Sequence, residues 1–182
     1  MDRRVERTRA AIADAFLELR AAKPLEKISV KELCERADVN KSTFYTHYQD
    51  IYDLAEQLES QVAEDILAEI GHPERMLTEP DAFTRELYLA YLAHGSLITT
   101  LFSGSRSDLL VVRIERSLME SLHAVRPDLR DNATVDTVLT LEIYGQYYAF
   151  MRCRHFGDEQ VIDVLCSHWR HSVETLREIG VC

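Results

Sequence analysis

One seven-residue stretch of the chain, Lys41–His47, carries side chains of the kinds that contact nucleic acids. Ammonium, hydroxyl, phenol and imidazole groups can bind phosphate oxygens or base edges, and a threonine methyl can contact the methyl group of thymine. Phe44 interrupts the polar run and Tyr48 follows it, as two aromatic anchors for a core. The pattern predicts a short helix with one face for nucleic acid. For its serine, threonines and histidine, exposure to solvent without any contact is the alternative.

Capping residues mark where the helices of this region begin. Ser29, with Glu32 three positions later, is typical of a capping box, in which each side chain accepts a hydrogen bond from the other residue's backbone N–H. Asn40 is a good N-cap for the segment 41–48, Asp38 suits the tight turn before it, and Asp50 is expected to cap the next helix. Two short helices around a tight turn form a helix-turn-helix, whose second helix enters the major groove of DNA. The alternative is a small helical bundle with solvated polar residues.

Residues 7–54 resemble the DNA-binding domain of the TetR (tetracycline-repressor-like) transcriptional regulators. Four elements carry the resemblance, in the order RTRAAIADAFLEL, KISVKELCERADV, STFYTHY and DIYDL. The resemblance implies a homodimer that binds a palindromic double-stranded DNA operator and that releases or gains it when a small-molecule effector binds. It also implies that Tyr45 contacts phosphate. Three positions depart from the family pattern, because Pro24 and Asp38 stand where glycine is common and Ile51 replaces a lysine that often touches phosphate.

The distribution of charge fits a DNA-binding N-terminus. The formal net charge is −10, yet residues 1–50 hold ten Lys or Arg against nine Asp or Glu, whereas residues 51–182 hold 11 against 22. Arg3 and Arg4, with Arg7 and Arg9, are predicted to form an arm along a DNA groove, and a solvated tail is the alternative. The residues predicted to contact DNA are Arg3, Arg4, Ser29, Lys41, Ser42, Thr43, Tyr45, Thr46 and His47.

The hydrophobic pattern beyond residue 50 keeps a helical period, so we expect an all-α protein. We expect a three-helix helix-turn-helix domain over residues 1–50 and a helical ligand-binding and dimerisation domain over residues 51–182. The predicted helices of the second domain cover residues 51–70, 81–94, 96–102, 108–125, 134–155 and 158–179. No apolar run of membrane length and no signal-peptide pattern occurs, which predicts a cytoplasmic protein without membrane contact. The four cysteines share no close spacing and are expected to be reduced thiols.

The last two predicted helices are apolar over more of their circumference than a one-sided surface helix requires. Two such helices meeting those of a second copy would form a four-helix interface, which the family resemblance also implies. Burial of both faces inside one subunit is the alternative. The predicted dimer contacts are Gly145, Ala149, Val161, Leu165, Trp169 and Leu176.

A ligand-responsive regulator needs a pocket, and aromatic, Met, His and Glu side chains of the second domain are the candidates. The predicted lining is Tyr88, Tyr91, His94, Phe102, His123, Glu142, Tyr144, Tyr148 and Met151. Such residues at helical spacing are also typical of an ordinary core. Glu142 is notable because it lies between Leu141 and Ile143, where an unpaired carboxylate is costly. Arg152 or Arg113 is its expected partner, with a cationic or hydroxyl-bearing ligand as the alternative.

An enzymatic function finds little support in the sequence. His168 and His171 could place two metal ligands on one helix face, but no third ligand stands at helical spacing, so we expect no metal site and no cofactor. No phosphate-binding glycine loop or nucleophile motif occurs. The favoured interpretation is a ligand-responsive repressor. The alternatives are an activator or a co-regulator that acts through a partner protein without a small-molecule ligand, and, remotely, an enzyme with a metal site near His168 and His171.

Overall fold

The computed structural model describes residues 3–180, and within this range the regular structure is entirely helical. The α-helices are α1 (Arg3–Ala22), α2 (Val30–Arg36), α3 (Lys41–His47), α4 (Ile51–Ile70), α5 (Arg75–Thr78), α6 (Pro80–Ala93), α7 (Gly95–Leu101), α8 (Leu109–Val125), α9 (Ala133–Cys153) and α10 (Asp158–Glu178). Short 3₁₀ turns cover Leu25–Lys27, Gly104–Arg106, Pro127–Leu129 and Arg154–Phe156. The predicted all-α class is confirmed, and only the short α5 was not expected.

The chain packs as two compact units. The first unit, called here the N-terminal unit, combines the chain up to Val62 with the segment Gly95–Leu110. The second unit combines Ala63–His94 with the chain from Val111 onward. These packing units cross the predicted functional boundary after residue 50, because the first part of α4 is buried with the N-terminal helices. The functional division into residues 1–50 and 51–182 stays a prediction.

The core of the N-terminal unit is built from one apolar stripe on each helix. Phe16 of α1, Leu33 of α2, Phe44 of α3 and Leu54 of α4 are all completely buried. Burying one such side chain contributes about 1.5–3 kcal/mol, so these contacts are the main support of the short helices α2 and α3.

Side-chain caps define the starts of α2, α3 and α4 as the sequence predicted. Ser29 Oγ accepts a hydrogen bond from the backbone N–H of Glu32 at 3.2 Å, and Asn40 Oδ1 accepts one from Thr43 at 2.7 Å. Asp50 Oδ1 caps α4 by accepting the N–H groups of residues 52 and 53, both at 2.8 Å. The reciprocal half of the predicted capping box is replaced by another contact, because the Glu32 carboxylate pairs with the Lys23 ammonium at 2.5 Å.

The turn between α2 and α3 has left-handed backbone at Asp38, whose φ is 52°. Glycine adopts this conformation without steric cost, and Asp tolerates it better than most residues because its short polar side chain can bond locally. Asp38 therefore makes the turn although it is not glycine.

Within the N-terminal unit, two arginines bind the segment Gly95–Leu110 to α1 and α4. Arg20 of α1 is buried and donates hydrogen bonds to the backbone oxygen of Ser103 at 3.2 Å and to its hydroxyl at 2.8 Å. Arg106 donates two hydrogen bonds to the completely buried carboxylate of Glu59 on α4. Polar contacts, in addition to the apolar side chains of α7, thus hold this segment in place.

In the second unit, α10 packs on α6 and α9. The indole N–H of Trp169 donates to the backbone oxygen of Met76 at 2.8 Å. Ion pairs between Arg170 and Asp81 and between Arg85 and Asp163 join the edges of α10 and α6.

The apolar stripe of α10 lies inside the subunit. Val161, Leu165, Trp169 and Leu176 are all at most 8% exposed. The face of α10 that was predicted to contact a second copy of the protein is therefore turned inward. The reason is that a helical stripe identifies a buried face but carries no information on whether the same chain or another copy covers it.

Candidate nucleic-acid interface and cavity

The side of α3 that faces away from the core presents its polar side chains to solvent, as the sequence predicted. Lys41, Ser42, Tyr45 and Thr46 are exposed, whereas Phe44 is buried. The ring of Tyr45 is 57% exposed and meets the Phe44 ring edge to face, with 5.4 Å between the centroids. The Phe44 ring thereby holds the Tyr45 ring in place, while the Tyr45 hydroxyl remains in solvent.

The polar groups of α3 differ in what they can still bind. Thr43 Oγ1 donates to the capping oxygen of Asn40 at 2.9 Å, and Thr46 Oγ1 donates to the backbone oxygen of Ser42 at 2.9 Å. These two threonines chiefly offer methyl groups to an incoming surface. Among the described residues, no side chain is hydrogen-bonded to the Lys41 ammonium or the Tyr45 hydroxyl, so both are available to an external oxygen.

The predicted N-terminal arm is helical in the structure. Arg3 and Arg4 lie in the first turn of α1 and are exposed, as is Arg7. Arg9 turns back toward the unit, where it donates to Gln57 Oε1 at 3.0 Å and lies 5.6 Å from the ring centroid of Tyr48. Arg3, Arg4 and Arg7 can therefore reach a ligand only as projections from a helix, and Arg9 supports the buried aromatic anchor.

The start of α4 contributes groups next to α3. Ile51 is 6% exposed and belongs to the core, so no cation replaces the lysine common at this position. Tyr52, one residue later, is 49% exposed and was not predicted as a contact. Its position two residues after the capping residue Asp50 was the only sequence signal. Ser29, a predicted contact, is exposed at the start of α2 with its hydroxyl engaged as the cap.

Asp53 fixes the connection between α3 and α4. Its carboxylate accepts the backbone N–H of Gln49 at 2.8 Å and the side-chain amide of Gln57 at 3.0 Å. Hydrogen bonds that favour the ionised form, first from Gln49 and then from Gln57, lower the pKa of Asp53 below its ordinary value.

The second unit contains a small, partly open apolar cavity with a free volume of about 60 Å³. Its lining consists of Met76, Phe83, Thr84, Leu87, Tyr88, Tyr91, Val111, Ile114, Leu118, Leu139, Glu142, Ile143, Gln146, Tyr147 and Trp169. Of the residues predicted to line a pocket, the structure brings together Tyr88, Tyr91 and Glu142. The aliphatic lining residues were missed because their pattern is that of any buried helix face.

The other predicted pocket residues lie elsewhere. His94 Nε2 is paired with Glu69 at 2.9 Å, and the Tyr144 hydroxyl donates to Glu115 at 3.1 Å. Phe102 is buried in the N-terminal unit. His123 faces Asp136 at 3.9 Å, and Tyr148 and Met151 are 45% and 43% exposed.

Glu142 is paired with residues that the sequence analysis did not expect. Its Oε1 accepts a hydrogen bond from the Ser172 hydroxyl at 2.5 Å, and its Oε2 accepts one from the Gln146 amide at 2.9 Å. His168 Nε2 lies 3.3 Å from Oε1. The expectation of Arg152 or Arg113 as partner is therefore wrong. The partners come from α10 and from one turn along α9.

The exposed side of α9 carries several apolar groups. Leu141 is 67% exposed and Tyr148 is 45% exposed. Gly145, a predicted dimer contact, lies between them with open space where a side chain would stand, and Ala149 is half-buried. On α10, Val164 is 63% exposed. These residues, Leu141, Gly145, Tyr148 and Val164, are called here the outer face.

The two histidines of α10 do not form a metal-binding cluster with a third ligand in the described range. His168 faces Glu142, and His171 Nδ1 lies 2.6 Å from the backbone oxygen of Ser167. Residues 3–180 contain no group of three or more His, Cys, Asp or Glu side chains arranged to hold a metal ion. None of the helices in the same range is long and apolar enough to cross a membrane.

Residues 12–58 match the family model of bacterial regulatory proteins, tetR family. The match begins within α1, includes α2 and α3, and ends in the first part of α4. No curated protein and no solved structure matches the chain. The predicted family resemblance is confirmed.

Proposed function

We propose, from the match of residues 12–58 to the tetR family of bacterial regulatory proteins, that this DNA-binding transcriptional regulator is a ligand-responsive repressor that binds a palindromic operator as a homodimer. In this proposal residues 1–50 bind double-stranded DNA and residues 51–182 carry the dimer contacts and the effector site. We place the protein in the cytoplasm, where bacterial DNA is found. It needs no cofactor for this function.

The observation that carries the proposal is the outer surface of α3. A helix of seven residues, capped by Asn40 and anchored by the buried Phe44, presents Lys41 and Tyr45 to solvent with their polar ends unoccupied. In a helix-turn-helix the second helix enters the major groove, where such groups bind phosphates and base edges. We assign Lys41 and Tyr45 to phosphate, and Ser42, Thr43, Thr46 and His47 to base edges or thymine methyls. Arg3, Arg4 and Ser29 are assigned to the DNA backbone.

Dimerisation follows from the size of the recognition element. One helix of two turns contacts only a few base pairs, whereas a two-fold dimer reads two half-sites about one helical turn apart. The outer face, with its exposed leucine, tyrosine and valine and the open space at Gly145, offers apolar groups against which a second copy can pack. We therefore assign Gly145 and Ala149 to the interface, joined by Leu141, Tyr148 and Val164 in place of the buried stripe of α10.

Effector response is assigned to the cavity of the second unit. The alternative is a regulator that acts through a partner protein without a small-molecule ligand. One observation favours that alternative, because a free volume of about 60 Å³ is small compared with usual ligand pockets of about 300–1,000 Å³. A cavity that opens when the ligand enters reconciles the effector with this volume.

Selection of genomic fragments on the purified protein tests the proposal. The fragments are bound at about 0.15 M salt, where unspecific electrostatic binding is weak, and the retained DNA is sequenced. We expect enrichment of one palindromic sequence with half-sites about 10 base pairs apart. A Lys41→Ala/Tyr45→Ala variant that is folded should lose this enrichment. Retention of the same sequence by that variant would contradict the assignment of α3 as the recognition helix.

A further inference from the structure

The cavity of the second unit has aromatic walls. Tyr88 and Tyr91 of α6, Tyr147 of α9 and Trp169 of α10 all line it. The faces of aromatic rings carry partial negative charge and attract cations, and tryptophan does so most strongly. With Phe83, five aromatic residues surround this small cavity, and they favour a ligand that carries positive charge.

The cavity lining includes ionisable groups of only one kind, the acidic kind. Glu142 is the only Asp, Glu, Lys, Arg or His side chain among the lining residues. Its side chain is 11% exposed. The hydroxyl of Tyr88 adds no second anion, because burial, with smaller contributions from groups that include Glu142, raises the pKa of that phenol far above its ordinary value. The cavity lining thus includes one acidic residue and no basic side chain.

The partners of Glu142 leave its charge largely uncompensated. Ser172 and Gln146 are neutral donors, and His168, the remaining neighbour, has a side chain that is 65% exposed, so water screens any charge on it. A carboxylate has about four acceptor sites, and two neutral donors do not fill them. An ammonium group that enters the cavity can therefore bind Glu142 at acceptor sites that Ser172, Gln146 and His168 leave open.

We propose that the effector of this regulator is a small apolar amine, bound as a cation with its ring among the tyrosines and Trp169 and its ammonium group against Glu142. The inference rests on the proposed ligand response and names the chemical class of the ligand. An anionic ligand would place like charges together in a water-poor site, and a neutral hydrocarbon would leave the carboxylate without a partner. Both are bound more weakly than the amine.

The volume of the cavity limits the size of the ligand and explains why ligand binding would change the conformation of the protein. A free volume of about 60 Å³ is smaller than the engineered cavity of about 150 Å³ that holds benzene. An amine with one ring fits only after the walls move apart, so it binds the open state better than the closed one. A ligand shifts a conformational equilibrium only by such a difference in affinity. The walls include α6 and α8, the two helices that flank the segment Gly95–Leu110 along the chain.

The single tryptophan of the chain, Trp169, reports on the cavity directly. We would titrate the full-length protein at pH 7 with benzylammonium, benzyl alcohol and benzoate, three probes with the same ring, and follow tryptophan emission and thermal stability. We expect benzylammonium to bind about tenfold or more tightly than benzyl alcohol, and benzoate to leave both signals unchanged.

The matched variants are Glu142→Gln, which removes the charge from the cavity, and Glu115→Gln. Glu115 lies on α8 and accepts a hydrogen bond from Tyr144, but it does not line the cavity. We expect the preference for benzylammonium over benzyl alcohol to disappear in Glu142→Gln and to persist in Glu115→Gln. The comparison of the three probes on the parent protein needs no variant, so the proposal remains testable if Glu142→Gln does not fold.

Equal or tighter binding of benzyl alcohol or benzoate would overturn the amine class while leaving an effector pocket in place. Failure of all three probes to change either signal would overturn the amine proposal. Operator binding by the same preparation, measured in parallel, separates these results from a failure of the regulator assignment. A further supporting result is a change in operator affinity with benzylammonium in the parent protein and none in Glu142→Gln.

Discussion

Arg106 and Glu59 form a bidentate ion pair within the N-terminal unit, with donor to acceptor distances of 2.5 and 2.7 Å. The Glu59 side chain is 1% exposed and that of Arg106 is 15% exposed. The hydrogen bonds to Glu59 raise the pKa of Arg106 above its already high ordinary value, so the arginine stays charged. This pair fixes the segment between α7 and α8 to α4, the helix that follows the proposed recognition helix.

Removal of Arg106 should leave a buried carboxylate without its partner. We expect Arg106→Ala to lower the free energy of unfolding by about 3 kcal/mol, because a broken buried ion pair costs more than the intact pair contributes. Chemical denaturation measures this change. Arg36→Ala is the control, since Arg36 pairs with Glu18 where both side chains are at least half exposed, and its loss should cost about 0–1 kcal/mol. A double variant, Arg106→Met/Glu59→Leu, should be more stable than Arg106→Ala. If both single arginine variants lose the same stability, the buried pair has no special role.

Lys41 should contribute to DNA affinity at every sequence. Each lysine that neutralises a phosphate releases a bound counterion, and the proposed dimer carries two copies of Lys41, so Lys41→Ala should reduce the slope of log affinity against log salt by about two. Operator titrations between low and moderate salt measure this slope. Lys31→Ala is the control, because Lys31 is equally exposed in the same unit but lies on α2, where it pairs with Glu35 at 3.8 Å. An unchanged slope in Lys41→Ala would exclude a phosphate contact by this lysine.

Asp38 should tolerate glycine but not a β-branched residue. Its φ of 52° is in the left-handed region, where a valine clashes with its own backbone and glycine does not. We expect Asp38→Val to destabilise the protein by about 1–2 kcal/mol and to weaken operator binding, because the turn sets the angle of α3. Asp38→Gly should change stability by about 0.5 kcal/mol or less in either direction. Thermal unfolding of the two variants provides the comparison, and similar stability for both would show that the turn accommodates other backbone conformations.

A charge on the outer face should break the proposed dimer. Leu141→Glu places two carboxylates close to each other across a two-fold axis, and we expect the dimer dissociation constant to rise by about tenfold or more. Light scattering over a dilution series measures it. Leu89→Glu is the matched control, because Leu89 is 55% exposed on α6, outside the outer face. If both variants dissociate the dimer equally, then either the dimer contacts lie elsewhere or the added negative charge alone weakens the dimer.

The Asp53 carboxylate should make part of the free energy of unfolding depend on pH in the acid range. Its folded-state pKa is lowered, so the stabilisation is complete above the unfolded-state value of about 3.9 and disappears as the pH falls through the lower folded value. We expect Asp53→Asn to cost about 1 kcal/mol at pH 7, and this difference from the parent protein to shrink in the window below about pH 4. Urea unfolding at pH 7, 5 and 3 measures it. Asp14→Asn, at an exposed position of α1, should show a smaller difference from the parent protein at pH 7. A difference for Asp53→Asn that stays constant with pH would contradict hydrogen bonds from Gln49 and Gln57 to an ionised Asp53 carboxylate.

The local features of the N-terminal unit could be predicted because they depend on neighbours in the chain. The caps at Ser29, Asn40 and Asp50 act over two or three residues, and the left-handed turn at Asp38 also lies within one short segment. Only the reciprocal contact of Glu32 differed, because a longer-range partner, Lys23, competes for its carboxylate. Such competition cannot be recognised from spacing alone.

The amino-acid sequence by itself determined the all-helical class, most helix bounds and the polar surface of α3, since helical periodicity and capping are local properties. The tertiary structure decided which apolar faces cover one another. It turned the stripe around Trp169 into the core of the subunit and left Leu141 outside. It also decided the surroundings of Glu142, whose partner Ser172 is 30 residues away along the chain. Contacts of this kind depend on how helices pack, because a buried side chain is satisfied by whatever the fold places beside it.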